Sequence, residues 1–163
     1  MCLFVVTFAA TLAGCGRSNP SRTISGENSN VIMASEIDME LNAAVKKAQA
    51  TLNTFVAKTS TSSPSVTNAS IKVAFDYGGG AEHIWANDVV HDNGTFTGTI
   101  DEDALYAPNI RAGQQVSVTA DRISDWLVVE DGKLHGGYTI KVLIKSLPPE
   151  QQRAIMAAYG VTI

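Results

Sequence analysis

The chain has little that chemistry usually leans on. Its 163 residues include two cysteines, five prolines and three histidines, and only 7% are aromatic. With cysteines only at Cys2 and Cys15, no disulfide framework can staple the fold, so stability must come from a packed core. No Gly-Lys-Ser/Thr follows the Gly78-Gly79-Gly80 run, and no helix pattern opens there, so a phosphate loop is excluded and a turn is expected. Ser124 has no Gly-x-Ser-x-Gly elbow and no assigned base. Basic residues are few: 12 Lys+Arg stand against 16 Asp+Glu, a net charge of -4. Those at Lys72, Arg111, Arg122, Lys133, Lys141 and Lys145 are scattered along the chain rather than forming a stripe. Nucleic acid is therefore not an expected partner, and a polybasic membrane patch has no support in the linear sequence.

What is present begins with an address. Cys2 to Ala13 is nearly unbroken in apolar or small residues. That is the length of a signal-peptide core and well short of the roughly twenty residues of a spanning helix. It ends in Leu12-Ala13-Gly14-Cys15, which resembles the lipobox of bacterial lipoproteins. The resemblance implies a leader over residues 1–14, a lipid on Cys15, and Gly16, in place of aspartate, directing the protein to the outer membrane facing the periplasm. No Lys or Arg precedes the apolar run, although such leaders start with basic residues, which points to a start lying further upstream. Residues 15–34 are rich in Ser, Asn, Gly and Arg, and read as a disordered tether between lipid and domain.

Residues 35–163 have the size of one domain. Ile37, Leu41, Ala44, Val45, Ala48, Leu52, Phe55 and Val56 recur at helical spacing and predict a helix over 35–58, with Ser35 and Asp38 spaced as a capping box. After a Ser/Thr-rich connector over 59–69, the period becomes two. Ile71 to Tyr77, Glu82 to Val90, Thr95 to Ile100, Gln115 to Thr119, Ile123 to Val129 and Lys133 to Ile144 read as strands, with hairpins at Asp92-Asn93-Gly94 and Asp131-Gly132. Pro148-Pro149 opens a short closing helix over 150–159, and Gly160 ends it. The expected class is α+β: one long N-terminal helix on a strongly bent, mostly antiparallel sheet of about six strands, with a short C-terminal helix.

Glu82 and His83 set a carboxylate beside an imidazole. On a regular strand His83, Trp85 and His91 share one face while Glu82 points to the other, and His83 and His91 lie about 26 Å apart, too far for one ion. No metal or cofactor is therefore expected. Gly136-Gly137, inside an apparent strand, predicts a bend or the close approach of another group.

Taken in order, Glu82-His83-x-Trp85, Phe96-Thr97-Gly98, Gly113-x-x-Val116, Ile123-Ser124-Asp125-Trp126, Gly132-Lys133-Leu134 and Gly136-Gly137-Tyr138-Thr139 resemble the bacterial domain of unknown function 2314 family, over residues 38–145. Ile84 and Gln114 depart from its pattern, in which methionine and aspartate are expected. The resemblance implies a domain type and no catalytic residue. Two functional readings follow. The favoured one is a non-catalytic binding module with Glu82, His83, Trp85, Asp125, Trp126, Gly136, Gly137 and Tyr138 as its contact surface, toward a protein or small molecule. The alternative is an envelope hydrolase using Glu82, His83 and Asp125, which requires the three to converge. A third reading makes Trp85 and Trp126 anchors of the core.

Overall fold

The computed structural model describes residues 27–60, 63–145 and 147–161, with side chains from residue 37 onward. The leader, Cys15 and residues 15–26 of the expected tether lie outside the described residues.

Helix α1 spans Glu27–Ala50 and α2 spans Leu52–Thr59. The expected helix over 35–58 is therefore two helices, and it starts inside the segment assigned to the tether. Ser35 lies within α1 and does not cap it. No glycine or proline interrupts residues 27–50, so a helix nucleated by the apolar stripe extends at little cost through the polar residues before it. The interruption falls at Thr51, whose hydroxyl donates to the Lys47 carbonyl at 2.7 Å, a back-bond that bends helices. The predicted stripe is the buried one: Ala44, Ala48, Leu52 and Phe55 are interior, while Ile37 lies at the surface.

Six strands follow: β1 (Val66–Tyr77), β2 (Gly80–Asp92), β3 (Thr95–Ile100), β4 (Gln115–Thr119), β5 (Ile123–Glu130) and β6 (Lys133–Gly136). They form one sheet in the order β4-β3-β2-β1-β5-β6, and every pairing is antiparallel. Both expected hairpins form, with Asn93, Gly94, Asp131 and Gly132 all at positive φ, as tight two-residue turns require. The ladder shifts register between Val66 and Asn68, between Lys72 and Val73, and between Asn87 and Val90. Such bulges bend strands and re-aim side chains. The third one turns His91 over, so that it pairs with the buried Phe96 and packs on its ring, centroids 4.5 Å apart. The expectation that His91 shares a face with His83 is thus overturned.

The last predicted strand is also corrected. Only Lys133–Gly136 is extended, and Tyr138–Lys145 is helix α3, followed by α4 over Pro149–Ala158. Pro149 occupies the first turn of α4, and Gly160 stops it at φ 75°.

The sheet is covered on both sides. On one, Ile71, Val73, Ile84, Phe96, Ile100, Ile123, Trp126 and Val128 pack with Ala48, Leu52 and Phe55 of the N-terminal helices. On the other, Leu127 and Val129 meet Ile140, Met156 and Val161, with Trp85, Leu134, Ile144 and Tyr159 around them. This two-sided burial explains why β5 is interior from Ile123 to Val129 without alternating.

Candidate functional site

The residues singled out from the sequence fall into three separate arrangements. Asp125 and Trp126 lie side by side on β5 and are 0% and 1% exposed, so neither belongs to a contact surface. The Asp125 carboxylate is the N-terminal partner of α3. It accepts from the backbone amides of Tyr138 (3.1 Å) and Thr139 (2.8 Å), from the Thr139 hydroxyl (2.7 Å), and from the Trp126 amide (2.8 Å). A buried carboxylate facing the first amides of a helix satisfies donors that the helix leaves open and complements its dipole. This is why Thr139, Ile140, Val142 and Ile144, a β-branched series that alone favours a strand, form a helix here.

Gly136 and Gly137 make that turn possible. Their φ values are 70° and 61°. A Cβ on Gly136 would lie 2.2 Å from the Trp126 carbonyl oxygen, the same oxygen that accepts from Gly137 N–H at 2.7 Å. The glycine pair is a strand-to-helix corner built against Trp126, instead of a bulge within a strand. The Trp126 indole donates to the carbonyl of Ala48 at 3.0 Å, near the end of α1, and packs edge-on with Phe55 and Tyr138 at 6.0 Å and 5.9 Å. Trp126 is a core anchor; Trp85 is half-buried, beside the second core cluster.

Glu82 forms the second arrangement. Its carboxylate accepts from three consecutive amides of the β3–β4 connection: Leu105 and Tyr106 at 2.7 Å and Ala107 at 2.8 Å. Burial alone would raise its pKa, but the three amides outweigh it and hold the carboxyl below its ordinary value. The connection so held presents Leu105 and Tyr106 to solvent, 76% and 62% exposed, with the Tyr106 ring stacked on Tyr77 at 5.4 Å. Leu105, Tyr106 and Ala107 were not singled out from the sequence, since nothing in residues 101–112 carries a motif.

His83 belongs to the third. It sits on the opposite side of β2 from Glu82 and is exposed; its Nδ1 lies 2.8 Å from the Ser124 hydroxyl. Ser124, the extra residue at the β1–β5 bulge, is buried, with its hydroxyl 3.2 Å from the Lys72 carbonyl. A hydroxyl has one proton to give. That proton serves either the Lys72 carbonyl or His83 Nδ1, and the histidine tautomer decides which of the two bonds Ser124 Oγ donates. Burial, and then the charges of Lys72 and Arg122, lower the His83 pKa. Lys72, whose ammonium stands 5.6 Å from the Trp85 ring centroid, is itself lowered by burial against the pull of Asp125 and Glu102. Glu102 is raised, first by burial and then by Asp101 and Glu82.

Glu82, His83 and Asp125 thus each serve different partners: a loop, a bulge serine and a helix end. Among the described residues no group of three or more His, Cys, Asp or Glu is placed to hold a metal ion, and no helix is long and apolar enough to cross a membrane. The fold and its polar anchors define an α+β domain in which motif residues secure turns, loops and helix ends.

The model of a bacterial family described as uncharacterized conserved proteins, DUF2314, matches residues 38–163, and the chain belongs to that family. The match includes the closing helix, beyond the stretch over which the sequence motifs run. Among curated proteins, the chain is 37% identical over 79 residues to the Uncharacterized protein YegJ of Escherichia coli K12, covering 48% of this chain and 52% of that one. It is 31% identical over 80 residues to a putative ankyrin repeat protein of Neisseria meningitidis serogroup B, covering 49% of this chain and 32% of the other. The chain therefore spans about half or less of the length of these relatives. No solved structure matches.

Proposed function

We propose that this chain is a lipid-anchored, non-catalytic binding module of the bacterial cell envelope. The observation that carries the binding reading is the Glu82 clamp, three backbone amides drawn onto one carboxylate to hold Leu105 and the stacked Tyr106–Tyr77 pair at the surface. Held aromatic side chains give large contact area at small entropic cost, which is why they dominate interface hot spots. The contact surface is then Tyr77, Leu105 and Tyr106, with Glu82 as the residue that positions it. Asp125, Trp126, Gly136 and Gly137 support the scaffold. The location rests on Leu12 to Cys15, with Cys15 carrying the lipid and the outer membrane, periplasmic side, as the destination.

Both halves are testable in cells. Replacing Cys15 with Ser should abolish incorporation of labelled palmitate, and unchanged labelling refutes the anchor. A photo-crosslinking amino acid at Tyr106 should yield a discrete adduct, whereas the same probe at Val90, equally exposed on β2, should not. Identical patterns at the two positions refute the contact surface.

A further inference from the structure

The groove between α1 and α3, of about 380 Å³, has a lining that the linear sequence concealed. Its floor is apolar, with Ala43, Ala44 and Val142 beside the Tyr138 ring, and its rim carries Lys47, Lys141 and Lys145. The Lys47 and Lys141 ammonium groups lie 5.1 Å and 5.8 Å from the Tyr138 ring centroid. Lys145 pairs with Glu40 at 3.1 Å, the one acid in the lining, and the Lys141 ammonium donates to the Gly136 carbonyl at 2.7 Å, so the lining carries an excess of positive charge whose exposed member without a carboxylate is Lys47. Nearly a hundred residues separate Lys47 from Lys141 in a chain of net charge -4, so this concentration of positive charge is a product of the fold.

We propose that this groove seats the phosphate of an anionic lipid headgroup at a bilayer surface. The chemistry is that of an interface. The exposed Lys47 and Lys145 set charge at the rim of an apolar floor, as lysines do at an interface, while the Tyr138 ring packs inward on Trp126 with its hydroxyl 3.1 Å from Thr51 Oγ1. A site for free phosphate commonly adds converging backbone amides or a guanidinium fork to its lysines, and the lining contributes neither. The apolar floor suits the part of a lipid that adjoins its phosphate. This attachment is separate from acylation and does not depend on Cys15.

The test is co-sedimentation of the full chain, carrying Cys15→Ser, with phosphatidylcholine vesicles containing or lacking phosphatidylglycerol. Binding should be stronger to the anionic vesicles. Lys47 is exposed and its stem supports no core, so Lys47→Gln should keep the thermal midpoint while weakening that binding about fivefold, the factor for one lysine at an anionic surface. Lys47→Arg should retain binding, and Lys133→Gln, on the distant β5–β6 hairpin, should bind like the parent. All variants share the same leader, so differences among them report the groove. Equal binding by Lys47→Gln and the parent overturns the proposal, as does an equal loss in Lys133→Gln. Displacement from vesicles by millimolar inorganic phosphate at constant ionic strength also overturns it, in favour of a soluble anion.

Discussion

Gly136→Ala is the sharpest test of the corner between β6 and α3. Two costs add there. At φ 70°, an L side chain is in the left-handed region, which costs about 1–2 kcal/mol. The new methyl would also stand 2.2 Å from the Trp126 carbonyl oxygen and 2.6 Å from its ring, so one of them must move. Trp126 has no direction of retreat: its indole is bonded to Ala48, and Phe55 and Tyr138 flank it. The strain passes instead to the backbone that presents Tyr138 and Thr139 to Asp125. Forcing a methyl into such a site costs about 1–3 kcal/mol. The sum, about 2–5 kcal/mol, corresponds to a fall in thermal midpoint of about 10–20 °C for a domain of this size. The control is Gly94→Ala in the β2–β3 turn, where φ is 80° but nothing lies within 4 Å of the added carbon. It should lose only about 1–2 kcal/mol, the conformational cost alone. Urea unfolding of both variants decides the matter: equal losses would mean that close packing against Trp126 contributes nothing, and the account of the glycine pair would fail.

Two further outcomes concern titrating groups. Because the Glu82 pKa is depressed in the fold, its contribution is complete above the unfolded carboxylate value of about 4.3 and is lost as pH falls through the lower folded value. Protection factors for hydrogen exchange at the Leu105, Tyr106 and Ala107 amides, taken against the intrinsic rate at each pH, should therefore fall at acid pH, and Glu82→Gln, which turns one acceptor oxygen into a donor facing those amides, should lower them at neutral pH as well; unchanged protection in that variant would refute the clamp. For His83 the folded pKa is also lowered, so the unfolded chain takes up a proton first, and stability falls as pH drops below about 6.5. NMR should show His83 titrating below that value and moving up toward it in Lys72→Gln, and an unshifted midpoint in that variant would remove Lys72 as a cause.

Local pattern determined much of the architecture. The 3.6-residue period around Ala44 to Phe55, the alternation in β1 and β3, and the Asn93-Gly94 and Asp131-Gly132 turns each rest on interactions within a few residues, so they were legible in one dimension. Family membership was legible for a related reason, because its short motifs stand in order along the chain. What tertiary structure alone decided was every outcome that needed a distant partner. Tyr138 to Lys145 became helix because Asp125, on another strand, receives its first amides. His91 changed face because of a bulge at Asn87–Val90, where Asp88 takes a positive φ in the middle of a strand pattern. Glu82 proved to hold a loop some twenty residues away, and the lysines that seemed scattered met around Tyr138. Periodicity reports which side of an element faces the core, whereas a carboxylate's donors and a charge's neighbours are chosen by how the elements come together.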